Sequence, residues 1–184
     1  MKAICIVGSP NSNGSTSYVS DKIIEGLKVN NIETKKYVLG EMNINYCKGC
    51  NSCHETRKCI QTDDMDKIFA DLYDSDIVII ASPSYWGDVT GQLKVFFDRS
   101  TPLCDTNGET LVPKGKLGIS VSIRAGSHVE ENIHLINAIE HYYGHLGIKP
   151  IKRFTIEGVN TKNDLIKKQD KLNEAFELGK HILV

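Results

Sequence analysis

Four of the six cysteines in this chain fall in one short segment, Cys47-x2-Cys50-x2-Cys53-x5-Cys59. Clustered thiols at C-x2-C spacing let successive thiolates converge on one centre, and a fourth cysteine completes a set of four ligands. Ferredoxin-type runs use two C-x2-C steps in this way. Three close cysteines and a more distant one suit a [4Fe–4S] cluster better than a structural zinc, whose ligands come as two separated pairs. Gly49, Asn51 and Ser52 leave backbone amides free to bond sulfur. The x5 gap and the lack of a proline after Cys59 depart from the ferredoxin pattern. Zinc, a redox-active thiol pair and unliganded thiols stay open as alternatives. Cys5 reads as a core residue, Cys104 as an isolated loop thiol and His54 as a surface residue.

A second chemical stretch lies at the start of the chain. Lys2–Val7 is a short apolar run rich in Ile and Val, followed by Gly8-Ser-Pro-Asn-Ser-Asn-Gly-Ser-Thr-Ser17 and then a helical pattern. Strand, small-residue loop and helix N-terminus together make an anion site, because free N–H groups and the positive helix end face the same point. Ser9, Ser15, Thr16 and Ser17 add hydroxyls. Gly14 is followed by no lysine, which excludes a nucleoside-triphosphate loop. Gly8 and Gly14 stand too far apart for the dinucleotide fingerprint. A hydroxyl-rich loop without lysine suits a bound monophosphate such as FMN. The plainer alternative is that Ser15 or Thr16 merely caps a surface turn.

These residues need a scaffold, and the hydropathy pattern supplies one. Val19, Ile23, Ile24 and Leu27 mark the first helix. Residues 32–39 read as a second strand, and 40–62 as a long polar loop carrying the cysteines. Asp63 or Asp64 is expected to cap a helix with Met65, Ile68, Phe69 and Leu72. Residues 76–81 are apolar on both faces, as in a central parallel strand. A helix with Leu93, Val95, Phe96 and Phe97, a loop over 101–116 and a fourth strand over 117–122 follow. Ser127 and Glu130 form a capping-box pattern for a long helix ending near Gly147. A fifth strand spans 151–156. Thr161 and Asp164 open one final helix carrying Leu165, Leu172, Ala175 and Phe176. Five strands alternating with helices predict one α/β domain over residues 1–184, a doubly wound five-stranded parallel sheet with helices on both faces. Ligands bind such sheets beyond the C-terminal strand ends, at the switch in strand order. The loops after the first, third and fourth strands meet there, the geometry of a flavodoxin-like FMN site.

Composition narrows the partners. A net charge of −1 over 184 residues gives no reason to expect nucleic acid or an anionic membrane. No apolar run is long enough to span a bilayer, no signal peptide is evident, and His181-Ile-Leu-Val184 is not a lipidation signal. The expectation is a cytoplasmic protein, in which structural disulfides are rare.

The ring of a flavin would need the other two loops. Ser82-Pro-Ser-Tyr-Trp-Gly87 carries the chain's single tryptophan, and Tyr85 and Trp86 either border the ring or cover the sheet end. Arg124 either bonds the flavin carbonyl edge as a charged donor or is solvated. Gly8-Ser-Pro10 with Ser15-Thr16, Ser82 to Gly87, Gly91-Gln-Leu-Lys94 and Phe97-Asp-Arg99 together resemble the NADPH-dependent FMN reductase family of flavodoxin-like proteins. The cysteine spacing resembles that of its iron-sulfur flavoprotein branch. The resemblance covers nearly the whole chain and implies sheet order 2-1-3-4-5. It implies FMN held by Ser9, Pro10, Asn11, Asn13, Ser15, Thr16 and Ser17 at the phosphate. It places Pro83, Ser84, Tyr85, Trp86, Gly87, Arg124 and Gly126 at the ring, and Cys47, Cys50, Cys53 and Cys59 on the metal. Asn11 stands where relatives often carry Arg or Lys, and Ile123-Arg-Ala-Gly126 is less glycine-rich than many versions of its loop.

The function implied is electron transfer, with the chemistry carried by the flavin rather than an acid–base residue. Electrons come from ferredoxin or NAD(P)H and go to a quinone, oxygen or peroxide. A cluster-free NAD(P)H-dependent FMN or quinone reductase is the alternative, and a zinc- or thiol-based redox sensor is a third. The resemblance also implies a homodimer or homotetramer.

Overall fold

The structure is a computed structural model that describes residues 1–182, so Leu183 and Val184 of the C-terminal tetrapeptide lie outside it. Five strands, β1 (Lys2–Val7), β2 (Glu33–Val38), β3 (Ile77–Pro83), β4 (Leu117–Ile123) and β5 (Lys149–Ile156), form one parallel sheet in the order β2-β1-β3-β4-β5. This is the flavodoxin-like order. It reverses between β1 and β3, where successive crossovers run in opposite directions across the sheet.

Alternation along the strands builds two cores. Ala3, Cys5 and Val7 of β1, with Ile77, Ile79 and Ala81 of β3 and Ile119, Val121 and Ile123 of β4, face one side. There they meet α1 (Ser15–Val29), α6 (Lys162–Ile166) and α7 (Gln169–Lys180). Ile4, Ile6, Val78 and Ile80 face the other side, under α3 (Met65–Asp74), α4 (Gly91–Arg99) and α5 (Val129–His145). Burial pushes the Cys5 thiol up to about 12, in keeping with a core cysteine. On the second face Gly118 makes room for the buried Tyr143 ring, since a Cβ at Gly118 would stand 2.7 Å from it. The Tyr143 hydroxyl reaches Val78 O and Ile119 O at 3.1 and 2.8 Å.

Four local readings are corrected. The expected final helix breaks into α6 and α7 around Lys167 and Lys168, although the Thr161–Asp164 capping box is present. Ser127 does not cap α5: His128 occupies the cap position and no side chain bonds there. Arg124 Nη1 instead holds the His128 carbonyl at 2.5 Å, which fixes the helix start from the preceding loop. Strand β5 begins at Lys149 and contains Pro150, which an edge strand tolerates because one side needs no ladder donor. Within the cysteine segment, Ser52–Thr56 forms a short helix, α2, where only loop was expected.

Helix α1, whose N-terminus faces the first loop, is set by a backbone-to-backbone contact with α7. A Cβ on Gly26 would lie 2.1 Å from Phe176 O, and one on Gly179 would lie 2.1 Å from Ile23 O. Neither neighbour is a flexible side chain, so the helices must separate to admit even a methyl group. Gly26→Ala should therefore destabilise the fold by about 1–3 kcal/mol, against the gain its helix propensity alone would give. Urea unfolding measures this, and an unchanged or raised midpoint would refute it.

Candidate functional site

The C-terminal strand ends bring three loops together. Each begins by bonding a neighbouring strand: Gly8 N–H to Ala81 O at 2.7 Å, Ser84 N–H to Ile123 O at 2.8 Å, and Arg124 N–H to Ile156 O at 2.9 Å. Thr90 joins the first loop to the second. Its hydroxyl donates to Gly8 O and accepts from Leu93 N–H, capping α4. Gly8 is required there, because a Cβ would approach Leu93 Cβ to 2.8 Å.

In the first loop, Asn11 organises the turn. Asn11 N–H donates to Ser9 Oγ at 3.1 Å, Asn13 N–H to Asn11 Oδ1 at 2.9 Å, and Gly14 N–H to Asn11 O at 3.1 Å. Gly14 caps α1 without a side chain. Among the described residues, the N–H groups of Ser15, Thr16 and Ser17 make no bond to the chain, and Tyr18 N–H to Gly14 O is the first of the helix. Three unpartnered donors at a positive helix end form an anion cradle. The Ser17 hydroxyl accepts from Lys36 Nζ at 2.7 Å, which leaves its N–H as the group turned to a ligand.

Pro83 and Ser84 leave β3 and lead into a tight turn. Tyr85 and Asp88 exchange both backbone bonds, and Trp86 and Gly87 between them have φ of 57° and 77°. Positive φ at both central positions is the signature of a type I′ turn. For a tryptophan this conformation is strained, yet the Trp86 ring is fully exposed and Tyr85 is half exposed. Sites that hold such strain are commonly functional.

Arg124 is buried and folded over its own loop. Besides the His128 carbonyl it pairs with Glu131 at 2.6 Å, and a Cβ on Gly126 would collide with its guanidinium at 2.6 Å. Glu131 also lies beneath Gly87, so the second and third loops share one support. Arg124 Nε is buried without a partner, an orphan donor of the kind a ring carbonyl would satisfy. The cradle of amides and this orphan N–H both fit FMN.

The cysteine segment is held at the other end of α4 from Thr90, by two arginines. Arg99, at the end of α4, and Asp63 pair at 2.6 Å with both side chains only 1% exposed. The contact is two-pronged, with Nη2 to Oδ1 at 3.2 Å. Arg99 Nη1 also binds Asn45 O at 2.7 Å, and Asp63 accepts from Asn45 N–H and Met65 N–H. Burial alone would raise the Asp63 carboxyl, but Arg99 and those two N–H groups outweigh it and hold the carboxyl below its ordinary range. Arg57, in left-handed conformation, ends α2 by binding Pro102 O, Cys104 O and Glu109 O.

All four cysteines of the segment line one cavity of about 140 Å³, together with Ile60 and Thr101. Gly49 N–H points to Cys47 Sγ at 3.5 Å. Burial raises the Cys53 thiol, and the charges of Cys47, Cys59 and Cys50 push it the same way. Among the described residues no three His, Cys, Asp or Glu close on a single-ion site. A lone zinc would need sulfurs about 3.8 Å apart, given Zn–S bonds of about 2.3 Å. Four thiols are a donor set that zinc and an iron-sulfur cluster both take. Cys104 borders a narrow gap beside Cys53, His54 and Arg57, so it is near the segment rather than isolated.

Comparisons with known proteins agree with this geometry. The family model described as NADPH-dependent FMN reductase matches residues 1–156. The chain belongs to that family. It is 34% identical over 182 residues to an iron-sulfur flavoprotein of Archaeoglobus fulgidus, covering 96% of this chain and 81% of the relative. An iron-sulfur flavoprotein of Methanosarcina thermophila is 31% identical, over 78% of this chain and 75% of its own. These relatives place the chain in the iron-sulfur flavoprotein branch, and it is an FMN-dependent oxidoreductase. The fold is shared with an NAD(P)H:quinone oxidoreductase from Methanothermobacter marburgensis, with a TM-score of 0.80, 14% identity and coverage of 100% and 96%. An FMN-dependent NADH-azoreductase from Bacillus anthracis in complex with FMN has a TM-score of 0.76 at 15% identity, each chain fully covered. No described helix is long and apolar enough to cross a membrane.

Sequence reasoning singled out the cysteines but not what holds them. In the sequence Arg99 stands out only as part of Phe97-Asp-Arg99, while Arg57 and Asn45 carry no local signal. Thr90, three residues before Leu93, has the spacing of an N-cap and was legible as one. A chain of bonds runs from Ser122 Oγ, buried, through Asn132 to the part-buried Glu157, both at 2.5 Å. An Asn among the apolar positions of a helix is its only sequence trace.

The buried pair can be tested. Arg99→Met leaves Asp63 buried and unpaired, and should cost about 3–5 kcal/mol with faster proteolysis of residues 44–62. The acid dependence has a definite sign: a carboxyl whose folded pKa is depressed stabilises above its unfolded value, about 3.9, and that stability is lost as pH falls through the folded pKa. Asp63→Asn should remove this acid-dependent component in urea melts between pH 2 and 5, chosen as roughly the range around that value. Identical pH profiles for wild type and variant would refute it.

Proposed function

We propose that this oxidoreductase holds FMN across the three loops and a [4Fe–4S] cluster on Cys47, Cys50, Cys53 and Cys59, and passes electrons singly between them. The observation that carries the reading is the single cavity lined by all four cysteines, anchored through Arg99 to α4, the helix whose other end Thr90 ties to the first FMN loop. The flavin, when bound, accepts or gives two electrons with one partner and single electrons with another. The chain's part is positional. Ser9, Pro10, Asn11 and Asn13 shape the phosphate loop, and Ser15, Thr16 and Ser17 present N–H groups to it. Pro83, Ser84, Tyr85, Trp86 and Gly87 border the ring, with Gly126 and the orphan Arg124 Nε at its carbonyl edge.

The donor is ferredoxin or NAD(P)H and the acceptor a small oxidant such as a quinone, oxygen or peroxide. The half-exposed Tyr85 and the outward Trp86 leave the ring edge open to such molecules. Tyr46, Ile60 and Trp86 are large apolar side chains left exposed, which supports association as a homodimer or homotetramer in the cytoplasm. The second reading is a cluster-free NAD(P)H-dependent reductase of quinones, favoured by the lack of a closed single-ion site among the described residues.

Anaerobically purified protein should show flavin bands over a broad shoulder, with about four irons and four sulfides per FMN, as the cluster type requires. Cys50→Ala should lose the iron and the shoulder while keeping flavin. Full flavin without iron in the wild type would select the second reading.

A further inference from the structure

A second cluster of ligating side chains lies away from the flavin loops, at the C-terminal end of α5. His141 and His145 stand one helical turn apart, and their Nε2 atoms face each other at 3.2 Å. The rings meet edge to face, with centroids 4.7 Å apart. His145 Nδ1 bonds Asp105 Oδ1 at 2.7 Å. Since an ionised carboxylate only accepts, that nitrogen carries the proton and His145 presents the lone pair of Nε2 to His141.

We propose that His141 and His145 form a binding site for a divalent late transition metal, such as Zn²⁺, Ni²⁺, Co²⁺ or Cu²⁺. Two histidines at i and i+4 place both imidazoles on one helix face, a spacing used for zinc. Two nitrogens on one tetrahedral ion, with Zn–N of about 2.0–2.1 Å, stand about 3.3 Å apart, close to the distance seen here. Asp105 supplies the outer carboxylate that fixes tautomer and ring orientation of a ligating histidine. The C-terminal end of a helix carries partial negative charge and favours a cation. Asp88 and Asp98 line the same cavity of about 350 Å³, which has room for water on the open positions. No third His, Cys, Asp or Glu closes with the pair among the described residues, so the protein supplies two ligands and solvent completes the set.

Occupancy would have a structural consequence. Asp105 sits on the 101–107 loop, and that loop's Pro102 and Cys104 carbonyls hold Arg57 of the cysteine segment. A metal on His141 and His145 stiffens the Asp105 bond and through it the wall against which the cysteine segment rests.

The test is calorimetric titration of the purified flavoprotein with Zn²⁺, and optical titration with Co²⁺. Wild type should bind one ion per chain at this site, which His141→Asn and His145→Asn each abolish; both side chains are exposed, so the variants fold. Asp105→Asn should retain the site at about 10–100-fold lower affinity. The Co²⁺ bound at this site should show ligand-field bands without sulfur charge transfer, which separates it from the cysteines. Unchanged stoichiometry and affinity in both histidine variants would overturn the proposal, as would a Co²⁺ spectrum that reports only thiolate ligation.

Discussion

The buried pair between Asp63 and Arg99 is the constraint on which the site depends. It joins the start of α3 to the end of α4 and clamps Asn45 from both its N–H and its carbonyl. Desolvating two charges costs several kcal/mol each, and only good geometry with further hydrogen bonds offsets that. Here the guanidinium engages the carboxylate with two nitrogens, Asn45 O takes a further bond from Nη1 and two backbone N–H groups bond the carboxylate, while Arg99 Nε is left without a partner. Without this clamp, residues 40–62 are a polar excursion of more than about 15 residues, a length that rarely stays ordered unsupported. Arg99 also lies beside Cys59, so the anchor reaches the last cysteine of the segment.

The sheet provides the rest. Parallel pairing through Val7, Ala81, Pro83 and Ile123 brings the ends of β1, β3 and β4 to one level. Gly8 permits α4 to approach the first loop, and Gly26 and Gly179 let α1 settle directly on α7. The resulting N-terminus of α1 aims three free N–H groups at one point. The second loop adds a strained turn that carries Trp86 outward, and the third buries Arg124 while leaving its Nε unpaired. The anion cradle is thus built from backbone and helix end, with no lysine in the loop. That matches the lack of any cation at position 11.

The two regions share one wall. The segment from Thr101 to Glu109 accepts Arg57 through three carbonyls on one side and offers Asp105 to His145 on the other. Cys104 sits between them, its thiol within 2.8 Å of Thr106 Oγ1. Changes at the end of α5 are therefore two contacts away from the cysteine segment.

By itself the sequence determined the periodicities, and these decide the layers. The continuous apolar run at 76–81, the alternation in 2–7 and the helical stripe from Val19 to Leu27 leave little besides a doubly wound sheet. Cysteine spacing and the small-residue loop announced their chemistry for the same reason, since both are local. Tertiary structure decided what depends on distant partners: that Ser17 turns its hydroxyl to Lys36, that Arg124 and not Ser127 sets the start of α5, and that Arg57 and Arg99 hold the cysteines. A buried ion pair 36 residues apart has no sequence period, because the hydrogen bonds that stabilise it are assembled only after the sheet has closed the distance.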